Sequence, residues 1–310
     1  MKMIAKIGLG IALVTVMAVS IHAVQEAPST DETLEKKMVN DYNVYALPLP
    51  ENMDFAGEPV PLSDPDIRER MDRELLVNTY WQSNMLIMIK RANKFFPIIE
   101  PLLAKHGLPD DFKYLAVAES GLDNVRSPAG AAGFWQFLSS TGKEYGLEIN
   151  DYVDERYNLE LATEVAAEYL KKSKENFGSW TAACAAYNAG NAGVSRQMDR
   201  QKVDGYYDLL LNPETSRYVF RILAFKEILS NPQKYGFNYR QKDLYTAVPS
   251  KKVMVDYPVE DFADFAKQNG ITYKILKIHN PWLRDTFLKN ASGKEYFIEI
   301  PEPGYYVMGQ

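Results

Sequence analysis

The sequence predicts a mainly α-helical domain followed by a small βααβ module. Apolar residues recur at helical spacing in successive segments before about residue 240. No segment between residues 100 and 235 has convincing strand character. After residue 240, strand-like and short helical segments alternate. We therefore expect a helical domain over residues 63–240, with its core at 100–235, and a separate module over residues 245–303.

The N-terminus has the layout of a secretory signal peptide. Lys2 and Lys6 flank the start of an uncharged apolar run over residues 7–20, and Ala23 is a small residue suited to cleavage. The run is shorter than the roughly 20 apolar residues that a transmembrane helix needs. We expect residues 1–23 to be removed and the mature protein to lie in the periplasm or cell envelope. An uncleaved signal, giving peripheral membrane association, is the alternative.

Residues 24–62 are rich in proline and polar residues, a composition typical of a linker. We expect this segment to lie on the surface as a strap. The proline content is the basis for a further hypothesis, that the strap covers a groove and regulates access to it.

Capping residues predict the boundaries of the first helices. Asp64 and Pro65 suit an N-cap and a first helical position. A helical segment then extends to about Lys94, and a second begins near Pro97 and ends before Gly107.

Three further helices are predicted after residue 150. One extends from about Asn158 to Phe177, with Gly178 just past its end. The stretch WTAACAAYNAGNAG predicts a short apolar helix that two glycine-containing repeats end. The last helix opens at Asn212 and Pro213.

The module after residue 240 is predicted from four segments. KKVMVDYPV has strand character, VEDFADFAKQNG and ITYKILKIHN have helical character, and KEYFIEIP has strand character.

The segment LPDDFKYLAVAESGLD, residues 108–123, places a carboxylate on an apolar helix face. Glu119 continues the stripe formed by Phe112, Leu115 and Ala116 at i, i+3, i+4 and i+7. It lies in the last helical turn, where burial and the helix dipole both favour the protonated carboxyl. A general acid working near neutral pH needs that state. The alternative is an ordinary surface glutamate.

Charge and residue usage exclude several classes of protein. The formal net charge is −6, and loss of Lys2 and Lys6 makes the mature chain more acidic, so a nucleic-acid partner is not expected. Cys184, the only cysteine, shares a helical face with aromatic and small residues, which predicts a core position. The three histidines are scattered and do not suggest a zinc site. We expect neither a metal nor another cofactor.

Several ordered blocks carry a family resemblance. AES, GAAGFWQF, YGL, VDERYN, ATEVAAEYL, AAYNAG and PETSRYV follow one another between residues 100 and 235. In this order they resemble the catalytic domain of lytic murein transglycosylases, and most of all the membrane-bound lytic transglycosylase D type. NPWLR and IEIP in the C-terminal module resemble a LysM domain, although YPVED replaces its usual GDT-like turn. The resemblance implies a lysozyme-like all-α catalytic domain and a glycan-binding module.

The resemblance also implies a reaction with one catalytic residue, Glu119. Glu119 would protonate the glycosidic oxygen between N-acetylmuramic acid and N-acetylglucosamine. Once ionised, it would accept the proton of the muramyl C6 hydroxyl as that oxygen attacks C1. The product is a 1,6-anhydromuramyl end, so no second carboxylate is needed as a nucleophile.

Four residues match family positions that contact substrate. Ser120 follows the acid, and local capping is the alternative role for its hydroxyl. Gln136 matches an amide that holds polar groups of the sugar, and an amide satisfied by the backbone is the alternative. Tyr187 continues an apolar stripe, so its buried hydroxyl needs a partner, for which Glu119 is the expected acceptor. Asn188 is expected to contact sugar, with a local helix cap as the alternative.

Two more candidates lie in PETSRYV. Glu214 occupies the first turn of a helix, where the dipole stabilises its ionised form. With a neutral Glu119 nearby, the two carboxyls would have separated pKa values, as in sites with divided roles. We expect Glu214 to bind substrate or act electrostatically, and Tyr218 lies one turn away on the same face. The block Asp154-Glu155-Arg156 indicates a structural ion-pair corner.

Three functions remain open at this point. The first is a monomeric lytic transglycosylase acting on peptidoglycan glycan strands. The second is a goose-type lysozyme-like muramidase, which uses water as the nucleophile. The third is a catalytically silent peptidoglycan-binding protein.

Overall fold

The structure, a computed structural model, describes residues 44–306 together with Asp31, Thr33 and Lys36. The predicted signal peptide and part of the predicted strap lie outside these residues. The chain divides into two units, Met1–Tyr45 and Ala46–Gln310, and the fold below is that of the second. Among the described residues, none of the helices combines the length and apolar character that crossing a membrane requires.

The second unit is mainly helical, as predicted. Ten α-helices are assigned within residues 46–306: α1 (Pro65–Tyr80), α2 (Gln82–Lys105), α3 (Lys113–Ser120), α4 (Ser139–Glu144), α5 (Leu159–Phe177), α6 (Trp180–Ala189), α7 (Asn191–Gln201), α8 (Pro213–Ser230), α9 (Phe262–Gln268) and α10 (Tyr273–His279). Five 3-10 turns connect them: Asp110–Phe112, Glu155–Tyr157, Tyr206–Asp208, Pro232–Tyr235 and Gln241–Asp243.

Capping residues set several of the helix ends where the sequence predicted them. The Asp64 carboxylate accepts from the first free N–H groups of α1, and the Asn212 side chain does the same for α8. Proline occupies the first position of both helices. Gly121 and Gly178 adopt left-handed backbone after α3 and α5, where side chains with a Cβ are disfavoured.

The predicted division of the first helical segment near Pro97 is wrong. The break between α1 and α2 lies at Trp81, and α2 continues through Pro97 and Pro101 to Lys105. Both prolines are exposed. Water can therefore satisfy the carbonyls that lose a helical hydrogen bond, so the prolines do not end the helix.

The second glycine-containing repeat also behaves differently from the prediction. Gly190 ends α6, but no loop follows it. The next residue, Asn191, begins α7. The backbone of Gly190, with φ 76° and ψ 144°, redirects the chain so that the next helix starts at once.

Helix α8 lies at the centre of the helical domain. It packs against α1, α3 and α6. Its core-facing side chains, among them Tyr218, Ile222 and Phe225, are buried in one hydrophobic cluster with residues of those helices. The C-terminal ends of α3 and α6 and the first turns of α8 carry most of the predicted site residues.

The part of the predicted strap that the structure describes is not a surface strap throughout. Strands β1 (Asp54–Phe55) and β2 (Glu58–Pro59) form an antiparallel hairpin. Phe55 is fully buried, because its ring packs edge-on against Phe112 at a centroid distance of 5.2 Å. The hairpin thus belongs to the core of the domain.

The hairpin lies at the N-terminal ends of α3 and α6. Phe112 precedes α3, and its ring also contacts Trp180 at the start of α6, at 5.2 Å. The site residues on these helices lie at their C-terminal ends. The hypothesis of a covering strap is therefore wrong for residues 54–59, while residues 24–30 and 37–43 of the same segment lie outside the described residues.

The C-terminal module has the predicted βααβ order. Strands β3 (Ser250–Val255) and β4 (Tyr296–Pro301) pair antiparallel, and α9 and α10 lie between them in sequence. The apolar residues of α9, Phe262, Phe265 and Ala266, are buried. They belong to a second hydrophobic cluster, which is separate from that of the helical domain.

Candidate active site

Glu119 lies in the last turn of α3, as predicted. Phe112, Leu115 and Ala116 of the same stripe are fully buried, and Glu119 itself is partly buried. Its carboxyl is therefore held where the stripe reaches the surface of the domain.

The hydroxyl of Tyr218 donates a hydrogen bond to Oε1 of Glu119. Tyr218 comes from the first half of α8 and is itself buried. This contact joins the end of α3 to α8. It also fixes the orientation of the carboxyl group.

The pKa of Glu119 is raised to about 7, mainly because burial disfavours the charged form. The hydrogen bond from Tyr218 and the positive charge of Arg221 lower the pKa, and the negative charge of Glu214 raises it. At neutral pH a substantial fraction of Glu119 is therefore protonated and able to donate a proton.

The prediction that the Tyr187 hydroxyl donates to Glu119 is wrong. Its hydroxyl donates to the main-chain carbonyl of Trp135 at 2.7 Å, and Tyr218 takes the place beside Glu119 that was expected for Tyr187. Tyr187 remains close enough to Glu119 that the carboxylate raises the pKa of the tyrosine, after the larger effect of burial. Tyr187 thus supports the segment next to Gln136.

Gln136 lies in a segment that we call the Gln136 loop, residues 130–137. Its side-chain N–H groups donate to the carbonyls of Val125 (3.0 Å) and Gly133 (2.7 Å). The backbone at Gln136 is left-handed, with φ 49°. A residue with a Cβ adopts this conformation at a cost of about 1 kcal/mol or more. Its side-chain amide nitrogen is thus satisfied by the backbone, which was the alternative to sugar contact.

Ser120 makes local hydrogen bonds. Its hydroxyl donates to the carbonyl of Ala116 at 3.1 Å and accepts from the N–H of Asp123 at 3.4 Å. These bonds fit the capping role that the sequence left open.

Asn188, at the end of α6, is exposed and lies against the start of α8. Its carbonyl oxygen accepts from the hydroxyl of Thr215 at 2.9 Å, and Asn212 donates to the same hydroxyl at 3.1 Å. This connection fixes the end of α6 relative to the first turn of α8. The side-chain N–H₂ group of Asn188 is left toward the surface.

Glu214 is paired with Arg221 on the same helix, at 3.0 Å. Its side chain is 56% exposed. Arg221 also lies 3.8 Å from the buried carboxylate of Glu74 in α1. Arg217 donates to the other oxygen of Glu74 at 2.6 Å. Arg73 pairs with Glu74 as well, so a network of two acids and three arginines lies beside the pair of Glu119 and Tyr218.

The sequence reasoning missed Arg221 and Glu74. Arg221 follows Tyr218 by three residues and Glu214 by seven, so the helical face that carries those two also predicts Arg221. Glu74 continues the buried face of α1 formed by Ile67, Met71 and Leu75. The signal is the one that identified Glu119, a carboxylate on an apolar helix face.

Aromatic side chains near Gln136 belong to the core. Phe134, Trp135 and Phe137 are all buried. The indole N–H of Trp135 donates to Thr163 at 2.9 Å.

Cys184 is fully buried in α6, as predicted for a core residue. Burial raises the pKa of its thiol, and the nearby Glu119 carboxylate raises it further. Within residues 44–306, no three metal-ligating side chains form a group that could hold an ion.

This arrangement provides one carboxyl with a pKa of about 7, oriented by a tyrosine, at the surface of the domain. The other acid of the site, Glu214, is engaged by Arg221. The geometry suits proton donation from Glu119, followed by proton acceptance by the same group.

Comparison with protein families identifies two domains. Residues 96–210 match the model of the transglycosylase SLT domain. Residues 251–304 match that of the soluble lytic transglycosylase C-terminal LysM-like domain.

Two curated proteins are similar over most of the chain. Membrane-bound lytic murein transglycosylase D of Escherichia coli K12 is 30% identical over 257 residues, which cover 80% of this chain and 55% of the relative. The protein of the same name from an O6:H1 strain of Escherichia coli gives the same values. The chain therefore spans about half the length of the curated relatives it matches.

Two solved structures are similar to part of this chain. The 70 kDa soluble lytic transglycosylase of Escherichia coli aligns with a TM-score of 0.35 and 22% identity, covering 45% of this chain and 26% of that one. An inactive mutant of lytic transglycosylase Slt from Pseudomonas aeruginosa aligns with a TM-score of 0.35 and 19% identity, covering 48% and 26%.

Proposed function

The chain carries a transglycosylase SLT domain and a C-terminal LysM-like domain, and from this we propose that it is a peptidoglycan lytic transglycosylase. The observation that carries the proposal is the position of Glu119. Its carboxyl is partly buried, accepts from Tyr218 and has a pKa of about 7. A group with this pKa can act as acid and as base within one catalytic cycle.

In the proposed reaction, protonated Glu119 gives its proton to the glycosidic oxygen between N-acetylmuramic acid and N-acetylglucosamine. The bond from that oxygen to C1 of the muramyl residue breaks. The muramyl C6 hydroxyl attacks C1 and passes its proton to the ionised Glu119. One 1,6-anhydromuramyl end and one free N-acetylglucosamine hydroxyl result, and Glu119 is again protonated.

Other site residues are proposed to hold the substrate. Tyr218 orients the acid, and Glu214 acts on it through its charge. Gln136 would offer its side-chain carbonyl oxygen to the sugars, and Asn188 would offer its side-chain N–H₂ group. Ser120 and Tyr187 would support the site through their hydrogen bonds to the main chain.

We also propose the setting in which the enzyme works. Its substrate is the peptidoglycan of the cell envelope, reached through the signal peptide of residues 1–23 and acted on in the periplasm by a monomer. The domain limits, 63–240 for catalysis and 245–303 for the LysM-like module, belong to the same proposal. The module would bind glycan.

Mass spectrometry of the products tests the proposed reaction. We expect the chain to release muropeptides from purified peptidoglycan. Each muropeptide should be lighter by one water than the corresponding hydrolysis product and should lack a reducible end. Reducible, hydrated ends would instead identify a muramidase, and binding without release would identify a silent glycan-binding protein.

The variant Glu119→Gln tests the assignment of the acid. We expect it to retain the fold and glycan binding but to lose activity by a factor of about 10² to 10⁴, because the amide cannot donate a proton. Glu69→Gln, at an exposed position of α1, is the matched control. Substantial activity in the Glu119 variant would refute the assignment.

A further inference from the structure

The C-terminal module is docked on the helical domain through residues 148–157, which we call the corner segment. Residues 152–154 of this segment run antiparallel to residues 282–284 of the module. Two main-chain hydrogen bonds hold them, from the Asp154 N–H to the Trp282 carbonyl (2.9 Å) and from the Arg284 N–H to the Tyr152 carbonyl (2.7 Å). Together they form the antiparallel bridge between Val153 and Leu283.

The hydrophobic cluster of the module continues into the helical domain. Ala132 of the Gln136 loop, together with Val153 and Tyr157 of the corner segment, is buried in the same cluster as Phe262 and Leu283. The guanidinium of Arg284 lies 4.3 Å from the centre of the Tyr157 ring. The module therefore shares its core with the two loops at its boundary.

Ion pairs add to this contact. Lys294 of the module pairs with Glu148 at 2.6 Å and with the buried Glu155 at 3.0 Å. The hydroxyl of Tyr296 donates to Glu148 at 2.9 Å. The Glu155 side chain is only 8% exposed and also accepts from the main-chain N–H of Glu148 at 2.7 Å. Loss of Lys294 would leave this buried carboxylate without the cation that faces it.

Arg156 connects the corner segment to the Gln136 loop. Its guanidinium holds the Asp154 carboxylate through two hydrogen bonds, of 2.9 and 2.7 Å. It also donates to the carbonyls of Gly130 (2.9 Å) and Phe137 (3.0 Å), the first and last residues of the loop. One buried side chain therefore closes the loop from the side of the module.

The main chains of the two segments are in direct contact as well. A Cβ at position 133 would lie 1.8 Å from the carbonyl oxygen of Arg156, so Gly133 is required for this approach. The left-handed backbone of Gln136 is unfavourable for a residue with a Cβ and persists only where the surrounding structure holds it.

We propose that the module is part of the framework of the active site as well as a glycan-binding element. By docking on the corner segment it fixes Arg156, and Arg156 fixes the Gln136 loop in its left-handed geometry. Arg156 is thus a positioning residue. The catalytic consequence rests on the proposed function, because it assumes that Gln136 contacts the substrate of Glu119.

Charge reversal at the docking surface tests this role in the full chain. Lys294→Glu places a third negative charge beside Glu148 and Glu155 and should loosen the module. Lys251→Glu makes the same change at an exposed position of β3 and serves as the matched control. Activity is measured on intact peptidoglycan and on a short soluble peptidoglycan oligosaccharide, which gains little from an additional binding module.

We expect Lys294→Glu to lower kcat/KM about 10-fold on both substrates, because small displacements of positioned groups are costly. The pH dependence of activity should be unchanged, since the surroundings of Glu119 are untouched. Arg156→Lys should lower kcat/KM further than Lys294→Glu does. The positive charge of the lysine should not restore activity, because an ammonium cannot reproduce the four hydrogen bonds of the guanidinium. A loss confined to intact peptidoglycan would show that the module acts only in binding, and unchanged activity on both substrates would also overturn the proposal.

Amide hydrogen exchange separates this inference from the proposed function. We expect residues 130–137 to exchange faster in Lys294→Glu than in Lys251→Glu, while circular dichroism shows that both variants are folded. Unchanged exchange of residues 130–137 in Lys294→Glu would overturn the proposed coupling between the module and the Gln136 loop, even if the enzyme is active. Absence of anhydro products from the unaltered chain would refute the proposed function but leave this measurement valid.

Discussion

At the scale of single residues, the carboxyl of Glu119 responds to two opposite charges on α8. Arg221 lowers its pKa and Glu214 raises it, while burial has the largest effect. The two residues also pair with each other. Neutralising Arg221 should therefore raise the pKa of Glu119, and neutralising Glu214 should lower it.

The pH dependence of activity should show both effects. Because Glu119 must be protonated to act as the acid, kcat/KM should fall as the pH rises through about 7. Glu214→Gln removes a charge that raises the pKa, so its alkaline limb should move to lower pH. Arg221→Gln removes a charge that lowers the pKa, so its limb should move to higher pH. Profiles of kcat/KM against pH measure these shifts.

Two outcomes would contradict this prediction. Shifts of both variants in the same direction would mean that a structural change dominates their effect. An alkaline limb insensitive to both substitutions would mean that another group titrates. Glu69→Gln on α1 provides the baseline for a substitution outside the site.

The position of Glu119 on the apolar face of α3 could be predicted because its signal is local. A carboxylate on the apolar face of a helix can be recognised from the periodicity of about eleven consecutive residues. The partner of that carboxylate was predicted wrongly. Tyr187 and Tyr218 both continue apolar stripes, and the choice between them depends on how α6 and α8 pack against α3, which no local pattern records.

At the scale of elements, Glu58 of β2 acts as a cap for a helix that follows it by more than a hundred residues. Its carboxylate accepts from the N–H groups of Trp180 (2.6 Å) and Thr181 (2.8 Å) and from the hydroxyl of Ser179 (2.7 Å). Burial opposes ionisation, but the hydrogen bonds outweigh it and lower the pKa of Glu58 to about 2. The start of α6 is thereby tied to the hairpin.

Replacing Glu58 should destabilise the fold in a pH-dependent way. We expect Glu58→Gln to lower the free energy of unfolding by about 2 kcal/mol at pH 7, since a charged cap is lost. The folded-state pKa lies below the ordinary value of 4.5, so this stability is present above pH 4.5 and is lost as the pH falls towards 2. Urea unfolding at pH 7 and pH 2.5 measures it.

The comparison needs a glutamate with no such contacts. Glu51→Gln, in the exposed part of the same N-terminal segment, should leave the free energy of unfolding within about 0.5 kcal/mol of its original value. A Glu58 effect that is equally large at both pH values would indicate lost packing in place of a lost charge.

The elements were predicted well where capping residues are explicit and poorly where tertiary contacts decide. Asp64 and Asn212 marked true helix starts. The role of residues 54–59 could not be predicted, because a proline-rich composition conceals the single buried anchor Phe55. The burial of that ring depends on Phe112, which is distant in sequence.

At the scale of the whole molecule, the second hydrophobic cluster joins the helical domain to the C-terminal module. Leu283, fully buried, is bridged to Val153 of the corner segment. Loss of the module would expose the corner segment and Ala132 to water. The two domains are therefore expected to lose their structure together.

Calorimetry of the full chain tests this expectation. We expect one cooperative unfolding transition. Leu283→Ala should lower the free energy of unfolding by about 2 to 5 kcal/mol, because it leaves a cavity in the shared cluster, and should move the whole transition to lower temperature. A separate low-temperature transition, the only one affected by Leu283→Ala, would show that the module unfolds independently.

Cys184 has a consequence for how the molecule can be observed. It is the single thiol of the chain, it is fully buried, and the charge of Glu119 acts on it directly. A thiol reagent can reach it only when α6 separates from the helices packed against it. The rate of its labelling under native conditions therefore reports how often the helices around Glu119 open, in an unaltered chain that needs no engineered probe.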